Sequence, residues 1–134
     1  MKFFVIIKEN SERLPNKKFL QLNGSPLYWH LLSELKGQEV YVDTDSEEVY
    51  NNLLLSEVEC YRRKKQFVEL ENDSSFGVSP VLLMVENFLD NYVEDEDEII
   101  VTPHVTSPFI KLSTILDASK MLKSGYDSVQ ACTE

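Results

Sequence analysis

A chain of 134 residues, 43% apolar and 27% charged, has room for one domain and one core but not for two. Its net charge of −10 sets nucleic acid aside as a partner, because gripping a phosphate backbone takes a basic surface that releases counterions. Small anions stay open, because eight of the thirteen cations fall in two short segments, Lys8, Arg13, Lys17 and Lys18 and the run from Arg62 to Lys65, which together form a local anion site if the fold joins them.

Residues 3–7 are an unbroken apolar run, the pattern of a strand covered on both faces. The loop from Lys8 follows directly. Ser25 and Pro26 then open a predicted helix over 25–35, with serine as cap, proline at the first helical position and Gly37 as its end. Residues 39–43 alternate as a second strand. Ser46 caps a helix whose first turn holds Glu47 and Glu48, which suit the positive end of the dipole. A third strand is predicted at 57–62, followed by an irregular polar stretch from Arg63 to Val78. Ser79 and Pro80 repeat the helix start, the acidic run 94–98 reads as a solvated loop, and 98–102 gives a fourth strand. A helix near 112–123 and a last strand over 127–133 complete the order.

Cys60 and Cys132 have no metal or redox spacing and read as buried reduced thiols. Lys8 and Glu9 cut the first apolar run too short for a signal peptide, and no segment is long enough to cross a bilayer. A cytoplasmic protein is therefore expected.

Alternating strands and helices argue for an α/β fold around a mainly parallel sheet. The connections over 8–24 and 63–78 are longer than such a fold needs, and long loops in compact domains are often functional. Ligands of open α/β sheets sit beyond the carboxyl ends of the strands. The basic loop leaves the first strand there, the basic run leaves the third, and the segment Pro103 to Pro108 leaves the fourth, so all three are expected at one edge. On composition alone the first loop reads equally well as a solvated turn.

The order of motifs carries more. An apolar strand leads to Lys8, Ser11 and the run Arg13-Leu14-Pro15-Asn16-Lys17, then to Asn23-Gly24-Ser25-Pro26-Leu27. This resembles the signature of the sugar-activating nucleotidyltransferases, most closely the cytidylyltransferases that make CMP-sialic acid and CMP-KDO. The segment VDTDSEEV at 42–49 is similar to the one after that family's second strand, and VECYRR at 58–63 to its third strand ending in arginine. TPHVTSPF at 102–109 is similar to the loop after its fourth strand, and SVQAC at 128–132 to the strand that opens its second half.

The resemblance implies a Rossmann-like three-layer α/β/α nucleotidyltransferase fold with a mainly parallel sheet, truncated after the fifth strand. Residues 1–134 would form a single nucleotide-binding domain, the N-terminal part of a cytidylyltransferase-like domain. The implied reaction is attack of a sugar-acid hydroxyl, sialic-acid-like or KDO-like, on the α-phosphate of CTP, with pyrophosphate leaving. Such transfer is catalysed by positioning and by neutralising charge on phosphate oxygens. Lys8 and Lys17 would be the catalytic cations, and Ser11 and Arg13 would position the phosphates. Arg63, Ser79, His104, Thr106 and Ser107 would lie at the nucleotide, Ser79 reading equally as a plain helix cap. The family works with Mg²⁺, although this chain shows no matching carboxylate, and its second half supplies most of the sugar pocket and the dimer contact. An apolar sheet edge left at 127–133 would favour self-association as a homodimer.

This chain departs from the family pattern in three places. Lys8 stands in place of an arginine and so lacks the bidentate fork, Glu12 replaces a frequent lysine, and His104 replaces a glutamine. Two other readings remain open. Asp43-Thr44-Asp45 has the form with which nucleotide-sugar glycosyltransferases hold a metal, although Asp45 and Ser46 also read as a helix start. A nucleotide-binding module without turnover is the non-enzymatic alternative.

Overall fold

The computed structural model describes residues 1–9, 21–73, 75, 77 and 79–132. Strand β1 (Lys2–Ile7) pairs in parallel with β4 (Val40–Thr44) on one side and with β6 (Ile100–Val101) on the other, and β4 pairs in parallel with β5 (Glu59–Arg62). Among the described residues the main sheet therefore runs β5-β4-β1-β6. The chain builds outward from β1 through β4 and β5 and then crosses back to β6, so the order reverses between β1 and β6. Such a reversal, at the carboxyl ends of the strands, is where open α/β sheets commonly bind their ligands.

Both faces of β1 are covered, as its unbroken apolar run requires. Phe3, Val5 and Ile7 point to helices α1 (Leu27–Glu34), α2 (Glu47–Leu53) and α5 (Leu112–Leu122), where they pack with Leu31, Val49 and Ile115. Phe4 and Ile6 point the other way, toward α3 (Lys65–Glu71) and α4 (Pro80–Tyr92), with Phe67, Met84 and Phe88. Helices on both faces of a parallel sheet give the expected three-layer α/β/α arrangement.

Several elements differ from the sequence reading. Ser25 does not cap a helix. The Asn23-Gly24 pair, with φ of 53° and 81°, makes the tight turn of a small hairpin, β2 (Gln21–Leu22) with β3 (Ser25–Pro26). Two successive positive φ values are what a two-residue hairpin turn demands, and the pairing draws Ser25 into extended backbone before α1 begins at Leu27. His30 of α1 donates from Nε2 to Leu22 O at 2.5 Å and ties the hairpin to the helix. Ser46 does cap α2, its hydroxyl accepting from Val49 N at 3.3 Å.

The stretch after Arg63 is not wholly irregular, because Phe67, Val68 and Leu70 lie at helical spacing and α3 seats Phe67 in the core. No fifth strand forms over the described part of 127–133. Residues 127–132 are exposed and lack regular structure, and among the described residues no partner strand reaches them and the main sheet has four strands. Among the described residues no helix is long and apolar enough to cross a membrane.

The two cysteines differ. Cys132 is exposed, contrary to expectation, and Cys60 is half-buried on β5. Burial, followed by the charges of Asp43 and Glu59, pushes the Cys60 thiol up to about 11. Iodoacetamide at about pH 8 should therefore alkylate Cys132 and spare Cys60 until the protein is denatured, as peptide mass mapping would show. Phe88 is fully buried and stacks on Phe4 at 4.5 Å. Phe88→Ala should lower stability by about 3–5 kcal/mol in urea unfolding.

Candidate functional site

The β4–β5 ladder continues past the end of β5, because Arg63 N donates to Thr44 O at 2.8 Å. This extra bond carries the Arg63 side chain back under the sheet edge, where it is fully buried. A buried guanidinium must be paired. Its Nε donates to Asp43 Oδ1 at 2.6 Å, its Nη1 donates to Glu71 Oε1 at 2.6 Å, and Nη1 lies 3.7 Å from Asp45 Oδ1. Three carboxylates from β4, its following turn and the end of α3 thus converge on one arginine.

The network reaches β1 through its two exit residues. Lys8 Nζ lies 3.1 Å from Glu71 Oε2, and Glu9 N donates to Asp45 Oδ1 at 2.7 Å. Asp43 is 1% exposed. Burial raises its carboxyl above the usual range, and the charge and hydrogen bond of Arg63 pull against that rise. Asp43 Oδ2 and the Tyr61 hydroxyl are buried with no hydrogen-bond partner among the described residues. Tyr61 sits opposite Asp43 in the ladder, and burial, followed by the Asp43 charge, shifts its ionisation strongly upward.

Beside this network lies an open cavity of about 410 Å³. Its lining includes four acids, Glu9, Asp45, Glu47 and Glu71, against three cations, Arg62, Arg63 and Lys65. Arg62 is further occupied by Glu47 at 2.7 Å and by the Tyr50 ring at 4.0 Å. Among the described residues the lining thus carries more acids than cations. Lys8, outside this lining, has a side chain 43% exposed, and Arg62 and Lys65 within it are exposed as well.

The expected site residues are distributed as follows. Lys8 and Arg63 are brought together through Glu71. Ser11, Arg13 and Lys17 lie outside the described residues. Ser79 heads α4, exposed, with its side chain making no capping hydrogen bond. His104, Thr106 and Ser107 are exposed beyond β6, where Ser107 N donates to His104 O at 2.9 Å in a turn. They stand at the carboxyl edge on the far side of β1 from Arg63, and among the described residues no hydrogen bond or ion pair links them to it or to Lys8. Glu71 was not foreseen, although the spacing of Phe67, Leu70 and Glu71 on one helical turn is the signal that places it.

Asp43 cannot serve as a solvent-facing metal ligand of the glycosyltransferase kind, because Arg63 holds its carboxylate inside the fold. Among the described residues no group of three or more histidine, cysteine, aspartate or glutamate side chains is arranged to hold a metal ion.

A solved structure of a CMP:2-keto-3-deoxy-manno-octonic acid synthetase complexed with CTP shares this fold, with a TM-score of 0.62 and 19% identity over 92% of this chain and 47% of that one. In sequence, the 3-deoxy-manno-octulosonate cytidylyltransferase of Wigglesworthia glossinidia brevipalpis is 29% identical over 128 residues, 92% of this chain and 48% of that protein. The chain spans about half the length of these relatives.

The Arg63–Asp43 pair is the testable centre of the local structure. Asp43→Ala should cost about 3–5 kcal/mol in urea unfolding, and Asp43→Ala with Arg63→Met should cost less than the two single losses combined. The cytidylyltransferase family model matches residues 5–134, from within β1 to the last residue and so across the whole Lys8–Glu71–Arg63 network, and the chain belongs to that family.

Proposed function

We propose that this chain is the nucleotide-binding part of a CMP-sugar cytidylyltransferase that takes CTP and a KDO-like sugar acid. The observation that carries the reading is the family match over residues 5–134 together with the place of Lys8. Lys8 follows the carboxyl end of β1, and its part-exposed ammonium lies 3.1 Å from Glu71. The sugar-acid class is supported by the names of the relatives, both of which act on the KDO acid. A sialic-acid-type acceptor has no comparable support.

In this reading a sugar hydroxyl oxygen bonds to the α-phosphorus of CTP while the bond from that phosphorus to the β-bridging oxygen breaks. Pyrophosphate leaves, and the hydroxyl proton passes to solvent. Lys8 and Lys17 neutralise charge on the phosphate oxygens, which is where a loose transition state needs it. Ser11 and Arg13 orient the phosphates. Ser79, His104, Thr106 and Ser107 offer exposed donors and acceptors to the nucleoside. Arg63 acts from beneath, by fixing Glu71 and the β4 edge. Mg²⁺ would arrive on the nucleotide's own phosphates and supply charge neutralisation there.

Calorimetry of the chain with CTP, UTP, ATP and GTP in the presence of Mg²⁺ tests the reading. CTP should bind more tightly than the other three. Lys8→Met and Lys17→Ala should each weaken CTP by about tenfold or more, the worth of a charge-assisted hydrogen bond. Equal affinity for all four bases would remove the cytidine assignment, and no binding to any of them would remove the nucleotide site.

A further inference from the structure

Glu71 holds in its two oxygens the two cations that the basic segments bring to this edge. Oε1 accepts from Arg63 at 2.6 Å and Oε2 faces Lys8 at 3.1 Å. The two sides of this bridge are not equal. Arg63 has no exposed side-chain surface and is also held by Asp43, whereas Lys8 is 43% exposed. Glu71 is therefore anchored from below and grips Lys8 from within. Its side chain is only 15% exposed.

A carboxylate that spans a lysine and an arginine with separate oxygens meets them as two oxygens of a phosphate would. While it does so, the Lys8 charge is met by the Glu71 carboxylate. A polyanion arriving at Lys8 then meets like charge, which raises the cost of binding. Lysine has a flexible four-carbon stem and can leave one partner for another without backbone movement. Arg63 cannot follow, because its other donors are committed to Asp43.

We propose that Glu71 is a built-in counter-anion that holds Lys8 in the nucleotide-free protein and gives it up to the triphosphate on binding. This rests on the nucleotide reading above and adds a residue that sets the strength of the phosphate grip. Glu71 stays on Arg63 throughout, and the exchange is confined to Lys8.

A double-mutant cycle on the full chain, read by calorimetry with CTP and separately with inorganic tripolyphosphate, tests it. Glu71→Gln keeps an oxygen for Arg63 and removes the charge from Lys8, so both ligands should bind about tenfold more tightly. In a Lys8→Met background the same change should bring no gain, because there is no lysine left to release. Glu71→Asp, one methylene shorter, draws both oxygens back and loosens the contact with Lys8; it should give a smaller gain in the same direction and keeps the cycle readable if the glutamine variant does not fold. Unchanged or weaker binding by both Glu71 variants overturns the proposal, as does a gain that persists without Lys8, which would mean simple removal of a nearby charge. Tripolyphosphate binding that follows the cycle while CTP binds no better than the bare anion would sink the nucleotide reading but keep Glu71 as an anion latch. A wild-type chain that binds neither ligand overturns both.

Discussion

Arg63 brings a full positive charge to a place with no solvent, and much of this sheet edge is arranged around that fact. Taking a guanidinium out of water costs several kcal/mol, on the order of its pairing energy, unless its donors are met. Asp43 from β4 and Glu71 from α3 meet them at 2.6 Å each. Because the three residues come from the end of β4, the turn after β5 and the end of α3, one buried charge fixes how the strand ends and the helix sit. Glu71 then passes the constraint to β1 through Lys8. The carboxyl edge behaves as a single electrostatic unit, not a set of independent loops.

In the proposed nucleotide reading, that unit is what an acidic protein would use to present a cation to a phosphate. The net charge of −10 disfavours anions at long range, and the cavity beside Arg63 is itself lined by more acids than bases. Lys8 follows the central strand β1 and is 43% exposed, although Glu71 holds its ammonium at 3.1 Å. Position in the sheet, more than the number of basic residues, makes the edge usable. Within the cluster from Arg62 to Lys65, Arg62 pairs with Glu47 and Tyr50 and Arg63 with buried carboxylates, while Lys64 and Lys65 are exposed.

The main layers of the fold were legible because β1 and β4 carry strong patterns. An unbroken apolar run and an alternating one leave little choice of strand, and the Ser46 cap with two glutamates marks α2. The errors came where local signals compete. Asn23-Gly24 is a hairpin signal, but the Ser-Pro pair after it reads as a helix start, and strand pairing won Ser25. The α3 segment was hidden by its four leading cations, although Phe67 and Leu70 carried the helical spacing. The strand expected at 127–133 has alternating residues yet no neighbour among the described residues, and a strand cannot persist on pattern alone. At the carboxyl edge, the placement of Lys8 and of the loop after β6 was legible, since strand ends in a parallel sheet gather at one edge. The burial of Arg63 was not, because nothing in a basic run tells which member turns inward; that depends on the Thr44 bond beyond β5 and on a carboxylate one strand away.

The central claim is that one ligand-binding edge is formed by the ends of β1, β5 and β6. Amide chemical-shift mapping of the ¹⁵N-labelled chain during CTP addition tests it most directly. The account predicts perturbations gathered at Lys8 and Glu9, at Arg63 and Glu71, and across His104 to Ser107, with the opposite end of the sheet near Glu39 and Tyr92 undisturbed. Shifts centred on Glu39, Tyr41 and Tyr92, or spread without preference for the carboxyl edge, would contradict it.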